Sequence, residues 1–216
     1  MSGYEVTSRN KVRRLEGRAH YDRETVHAVL DAALVCHVGI VREEGPLVVP
    51  TIFGRIDDTV YFHGSVASGN LRAMRAGTEV CVAATVVDGI VLARSLFNSS
   101  MNYQSVVAFG RSRQVSDPGE REAALKAISD HVLPGRWEDA RRPDHTEDLQ
   151  TAVVAVDIEQ ASAKVRDWGV GDEPEEDLEL DVWAGVLPLR MVTGEPQPDP
   201  KLRPGIEVPG YVRDRE

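Results

Sequence analysis

Between Thr59 and Gly110 the chain sets a strand, a small polar loop, a helix and further strands end to end, and few folds can take that order. Thr59-Val60-Tyr61-Phe62-His63 reads as a strand. It runs into the loop Gly64-Ser65-Val66-Ala67-Ser68-Gly69-Asn70, which feeds the helix-like Leu71-Arg72-Ala73-Met74-Arg75-Ala76, closed by Gly77. Strands follow, ending in the long run Ser100–Gly110. A hydroxyl-rich loop and a helix start with Arg72 and Arg75 behind it can cradle a phosphate, because free N–H groups and the helix dipole favour an anion. The same loop also suits a plain solvated connection, since short Gly/Ser turns are common.

The flanking segments predict a mostly antiparallel fold. Asp22 is placed to cap a helix over Glu24–Leu34, with Val26, Val29, Leu30 and Ala33 on one face. Leu34–Val41 and Pro46–Ile56 read as strands, with Asp57-Asp58 a tight turn. Asp88-Gly89 between two apolar runs predicts a hairpin. Tyr103–Val115 is a long strand, Asp117-Pro118 opens a helix to about His131, and Leu149–Ile158 is a last strand. At least six strands, mostly joined by hairpins, favour an antiparallel barrel with appended helices over a doubly wound sheet.

Composition narrows the function. A net charge of −10 argues against nucleic acid as the main partner. No apolar run approaches the ~18 residues of a membrane span, and the start does not read as a signal peptide. Cys36 and Cys81 read as buried hydrophobes, which fits a reduced, cytoplasmic setting. His37, His63, His131 and His145 show no paired metal-ligand spacing. No nucleophile–base arrangement, dinucleotide fingerprint or Walker loop is present, so any chemistry would fall to a cofactor. The ends differ from the middle. Residues 1–20 form a basic arm, 21–190 the main domain, and 191–216 a Pro-rich extended tail. The acidic run 172–181 is the expected partner of the N-terminal arginines, and Trp183 with Val186-Leu187-Pro188-Leu189 the expected anchor of the tail.

Particular motifs resemble a known family. Tyr61-Phe62-His63-Gly64-Ser65, Asn102-Tyr103-Gln104-Ser105-Val106-Val107, Pro134-Gly135-Arg136-Trp137, Arg141-Arg142-Pro143, Lys164-Val165-Arg166 and Val182-Trp183-Ala184-Gly185-Val186-Leu187-Pro188 look like the FMN-binding split β-barrel proteins, the pyridoxamine 5′-phosphate oxidase-like superfamily. Within it they are most similar to the branch holding the nitroimidazole-resistance proteins. The resemblance implies a mainly β (α+β) fold: a six-stranded antiparallel split β-barrel with short peripheral helices, forming a homodimer with two flavins at the interface. It implies FMN, with the phosphate at His63, Gly64, Ser65, Ser68, Gly69 and Asn70 and the ring edge along Val49, Pro50, Thr51 and Ile52. The partner chain would add Arg94, Ser95, Tyr103 and Ser105. The implied function is a flavin-dependent oxidoreductase acting on a small molecule. A non-catalytic flavin carrier or sensor, or a barrel repurposed for haem through His63 or another histidine, stands beside it.

Individual residues keep two readings. His63 is a phosphate donor, a haem ligand or a satisfied strand-end histidine. Arg94 is an edge guard or an anion partner. Tyr103 is a core residue or a donor to substrate. Asn98, Ser99 and Gln104 stand where relatives often carry His, His and Arg. The pocket is therefore less cationic, and a neutral or mildly polar substrate is expected over a phosphorylated one.

Overall fold

The computed structural model describes residues 3–171 and 174–215 of one chain. In chain order, a two-residue strand β1 (Ala19–His20) precedes α1 (Arg23–Ala32), β2 (Cys36–Arg42), β3 (Gly45–Thr51), β4 (Gly54–Ile56) and β5 (Thr59–Ser65). Then come α2 (Gly69–Arg75), β6 (Glu79–Leu92), β7 (Ser100–Gln114), α3 (Pro118–Val132), α4 (Arg136–Asp139) and α5 (His145–Gln150). The chain finishes with β8 (Thr151–Asp157), β9 (Gln160–Arg166), α6 (Glu175–Leu178), β10 (Gly185–Pro188) and α7 (Gly210–Arg213).

The six-stranded antiparallel split β-barrel is not what forms. Ten strands make one sheet whose main path runs β3-β2-β6-β7-β8-β5-β4, with β9 joining β7 to β1 and β10 joining β6. The path does not close, because its end strands β3 and β4 do not pair. The reason lies between them. Phe53 turns wholly into the core, and Gly54 lies so close to α3 that a Cβ there would stand 2.5 Å from the Ile128 backbone nitrogen. The chain is drawn onto the helix instead of continuing the ladder. The fold described is that of one chain, and the expected homodimer forms no part of it.

Other strand expectations also change. The Asp88-Gly89 hairpin is a bulge within the single fourteen-residue β6, where the register against β7 shifts between Val87 and Gly89. Glycine is needed there because β10 lies alongside; a Cβ would meet Val186 Cγ1 at 3.0 Å. The run 46–56 is split at Ile52–Phe53 into β3 and β4. The capped helix starts hold. Asp22 accepts from the Thr25 N–H, and Asp117 from the Glu120 N–H with Pro118 beside it.

Alternation along the strands makes two cores. Val60, Phe62, Ala152, Val154 and Val156 face the main core, which Val26, Val29 and Leu30 of α1 help to fill. The intervening Tyr61, Val153 and Ala155 face α3 and pack on Ala124 and Ile128. Cys36 is buried, and that burial pushes its thiol up to about 12. Among the described residues no helix is long and apolar enough to cross a membrane.

The termini are pinned differently from expectation. In the N-terminal arm Tyr4 is buried and donates to Asp58, and Arg9 pairs with Glu79 at 2.9 Å. The expected partner run 172–181 includes Asp172 and Glu173, which lie outside the described residues. Trp183 is 67 % exposed, so it is the pairing of β10 with β6 that anchors the start of the tail.

Candidate functional site

Two cavities flank His63. The first, about 160 Å³, is lined by Val38, Ile40, Val49, Thr51, Phe62, His63, Gly64, Ser65, Ser68, Asn70, Leu71 and Met74. It gathers the strand-to-loop residues with Val49 and Thr51 of β3. As an end strand of the sheet path, β3 keeps backbone groups on its outer side free of ladder partners. The loop is held by its own bonds. The Ser68 N–H donates to the Ser65 carbonyl at 2.9 Å, and the Ala67 N–H to Ser65 Oγ at 3.2 Å. The Val66 N–H donates to the Gln150 carbonyl at 3.0 Å. A Cβ on Gly64 would lie 2.9 Å from Leu71 Cδ1, so the Leu71 side chain of α2 packs directly over this glycine.

The start of α2 is suited to an anion. Ser68 stands at its N-cap, yet its side chain makes no capping bond. Arg72 reaches back to the Ala67 carbonyl at 3.2 Å, whereas Arg75 turns away to Gln114. A cation that sequence reading missed stands nearby. Arg42 Nη1 is 3.8 Å from the Cβ position of Gly69. It lies twenty-seven positions away by number (69 − 42 = 27), at the end of β2, where it also pairs with Glu44 at 3.6 Å.

The second cavity is larger, about 590 Å³. Pockets for drug-sized molecules run roughly 300–1,000 Å³, so this one has room for a tricyclic or larger ring system, while the smaller cleft suits a terminal group. Its walls are Leu125, Ile128, Ser129, Val132 and Leu133 of the α3 region, Trp137 of α4, and Ile52 and His63 of the sheet. Arg136, Arg141 and Arg142 also line it. Arg141 is paired with Glu147 at 2.6 Å and Arg142 with Glu138 at 3.3 Å. Arg136 is shared between Asp139 and Tyr211.

His63 belongs to both cavities because alternation puts it on the α3 face of β5, beside Tyr61, at the point where the strand leaves the sheet. Its Nδ1 is buried with no hydrogen-bond partner among the described residues. Burial lowers its pKa below the ordinary histidine value, so the ring is held neutral, with one N–H and one lone pair. His131 is committed elsewhere, bonded to the Ala33 carbonyl at 2.8 Å and stacked on Phe53.

The remaining candidates stand apart from the cleft. Pro50 faces outward on β3, Ile52 lines the larger cavity, and Gly69 is exposed at the start of α2. Arg94 and Ser95 sit in the loop between β6 and β7 that carries Leu96 and Phe97, 96 % and 94 % exposed. Tyr103 is half-buried on β7 between Val87 of β6 and Arg166 of β9. Ser105 donates weakly to the Lys164 carbonyl, and Gln104 donates to Asp88. The residues around the second cavity were missed as a site. Their signal was present in Pro134-Gly135-Arg136-Trp137 and Arg141-Arg142-Pro143, where an indole and arginines are crowded into a short, weakly patterned stretch.

The model of the pyridoxamine 5′-phosphate oxidase family matches residues 22–165, which hold both the cleft and most of the larger cavity. The chain belongs to that family. The flavocytochrome Anf3 from Azotobacter vinelandii is similar over 97 % of each chain, at 37 % identity and a TM-score of 0.89. A FAD and haem binding protein from Mycobacterium smegmatis is 34 % identical over 91 % of this chain and 96 % of its own, with a TM-score of 0.85. A 5-nitroimidazole antibiotic resistance protein from Bacteroides thetaiotaomicron, so described provisionally, is 26 % identical over 68 % of this chain and 86 % of its own, at 0.58. No curated protein matches the chain. This member of the pyridoxamine 5′-phosphate oxidase family is thus homologous to flavin-binding proteins.

Proposed function

We propose that the protein is an FMN-dependent oxidoreductase acting on a small, neutral or mildly polar molecule. The observation that carries this is the meeting, at one cleft, of β3, which ends the sheet path, and the uncapped start of α2, with the exposed Arg42 guanidinium outside it beside Gly69. These groups fit a phosphate monoester. Ser65, Ser68 and the first N–H groups of α2 would hold it, with Arg42 and Arg72 supplying charge. The outer edge of β3 from Val49 to Ile52 would support the ring. When bound, the flavin supplies reversible uptake of electrons or a hydride. The chain's own part is positioning. Tyr103 would donate a hydrogen bond to a substrate oxygen, and the apolar floor of Val38, Ile40 and Met74 would keep water from beneath the cofactor. Arg94, Ser95, Tyr103 and Ser105 stand away from their own chain's cleft, so in this reading a second chain brings them to it.

The test is flavin retention by Ser65→Ala/Ser68→Ala. The pair should weaken FMN binding by about 1 kcal/mol or more for each lost charge-assisted bond. Unchanged affinity removes both hydroxyls from the site. Reoxidation of the reduced protein by candidate acceptors, with Tyr103→Phe in parallel, separates an enzyme from a carrier. If dioxygen alone accepts electrons, the carrier or sensor reading gains.

A second reading has its own support. The two relatives above 30 % identity are a flavocytochrome and a FAD and haem binding protein. In this reading FAD would take the place of FMN, and a haem would occupy the larger cavity. The apolar walls fit a porphyrin face, and the half-buried His63, whose buried Nδ1 has no hydrogen-bond partner among the described residues, fits an axial ligand to iron. A Soret band in the purified protein that is lost in His63→Leu would favour this reading. A flavin spectrum alone, with no haemin uptake, would dismiss it.

A further inference from the structure

The C-terminal tail is exposed over most of its length, except where it returns to the body at Val208, Pro209, Tyr211, Val212 and Arg215. That return meets the rim of the larger cavity. The Tyr211 hydroxyl donates to Asp139 Oδ2 at 2.6 Å and accepts from Arg136 Nη1 at 3.2 Å. Its ring lies against Gly135, whose φ of +90° suits glycine and whose added Cβ would stand 3.1 Å from Tyr211 Cγ. Arg215 donates to the Val132 carbonyl. Thr193 Oγ1 donates to the Arg215 carbonyl at 2.6 Å, so the tail is tied to itself at its two ends. Val132 and Arg136 both line the cavity. The segment therefore bonds to the end of α3 and to α4, on either side of the Leu133–Gly135 link.

We propose that Pro209–Arg215 is a clasp that holds the α3–α4 rim of the larger cavity and slows passage of a ligand through it. The proposal rests on the larger cavity being a ligand site, as in the second reading above. The link Leu133-Pro134-Gly135 is spanned by the Arg136 N–H on the Leu133 carbonyl at 3.2 Å and by the Lys126–Glu138 pair at 2.8 Å, while Gly135 starts α4 without a side-chain cap; the clasp is the tie that reaches it from the tail. With Tyr211 withdrawn, Arg136 keeps only the Asp139 carboxylate at 3.4 Å as its ion-pair partner.

The test uses full-length Tyr211→Ala, with Tyr211→Phe as the conservative variant. Three quantities are read: amide hydrogen exchange over 132–139, the rate of haemin transfer from the protein to apomyoglobin, and acrylamide quenching of Trp137 in a Trp168→Phe/Trp183→Phe background. Tyr211→Ala should speed exchange and haemin transfer roughly tenfold, the factor corresponding to about 1.4 kcal/mol. It should also raise the quenching constant of Trp137 while leaving exchange in the β-sheet unchanged. Tyr211→Phe, which keeps the ring on Gly135, should fall between. Unchanged exchange over 132–139 overturns the clasp. Faster exchange with unchanged transfer and quenching overturns its control of passage. If the wild type takes up no haemin, the haem reading falls, and exchange with quenching still decides the clasp.

Discussion

The two cavities that meet at His63 are made from different materials. The smaller is walled by β2, β3, β5, one tight loop and the start of α2, and its polar side chains are mostly short: Thr51, Ser65, Ser68 and Asn70. The larger is walled by α3, α4 and α5, and its charged groups include three long arginine side chains, each with a protein partner. A site built on paired strands is set largely by the ladder. A site made of short helices depends on caps, close packing and surface pairs, each worth little alone. The first is suited to gripping one fixed group and the second to admitting and releasing one. Four perturbations test that contrast.

The largest effect is expected from Phe53→Ala. Phe53 directly follows Thr51 and Ile52, which line the two cavities, and it stacks on His131 with ring centroids 4.4 Å apart. Its truncation should cost about 3–5 kcal/mol by urea unfolding. Flavin and haemin uptake should fall together. A loss confined to one cavity would show that they do not share this floor.

Gly54→Ala should separate them. The added methyl would press on α3 backbone atoms at 2.5 Å, at a cost of about 1–3 kcal/mol. Haemin uptake should drop while FMN retention stays close to wild type. Equal losses would mean that the strand-built cleft also leans on α3.

Asp144→Ala removes half of the capping box that starts α5, in which Asp144 accepts from the Glu147 N–H and Glu147 from the Asp144 N–H. About 1 kcal/mol is expected, read as faster amide exchange in α5 with little change in β8. Spread of the effect into the 65–68 loop can run through the Val66–Gln150 bond or through the pairing of Ser65 with Thr151. That spread would join the cavities by a second route.

Glu120→Gln is the smallest change. Glu120 accepts from both Arg113 and Tyr61, fixing the start of α3 to the sheet. The Arg113 hydrogen bond is the leading cause that holds its carboxyl below the ordinary value of 4.5. A lowered folded pKa means stabilisation that is present above 4.5 and lost as pH falls through the folded value. The wild type should exceed the variant in stability at neutral pH, with the gap narrowing in acid. A gap that stays constant with pH would leave the ionised pair no part in holding α3.

The same contrast explains what the sequence made visible. β5, the 64–70 loop and α2 lie consecutively, so period-2 alternation followed by a glycine- and serine-rich turn announced the smaller cleft. Arg42 was hidden because its role depends on a neighbour brought close by the fold rather than by spacing. The larger cavity draws on residues from Ile52 to Thr151, and no local pattern links them. α4 and α5, of four and six residues, are too short to show helical periodicity. Asp88-Gly89 misled because the dipeptide serves a bulge as readily as a turn. What decides between them is β10, almost a hundred residues later. The closed barrel failed for a similar reason: the attraction of Gly54 to α3 is a contact across the chain, and Gly54 carries no mark of it.

The pairing of β10 with the far half of β6 also sets an order of events during synthesis. Gly89–Val91 can pair with Ser100–Asn102 as soon as β7 has emerged, but their other side, with Leu92, stays open until Gly185–Pro188 leaves the ribosome. Over that interval a nascent chain carries a bare, largely apolar sheet margin, the kind of surface on which unfinished chains associate. The last strand therefore acts as a completion seal, and chains released early lack it. Such products should be recognised by their insolubility more readily than by any loss of the earlier-formed core.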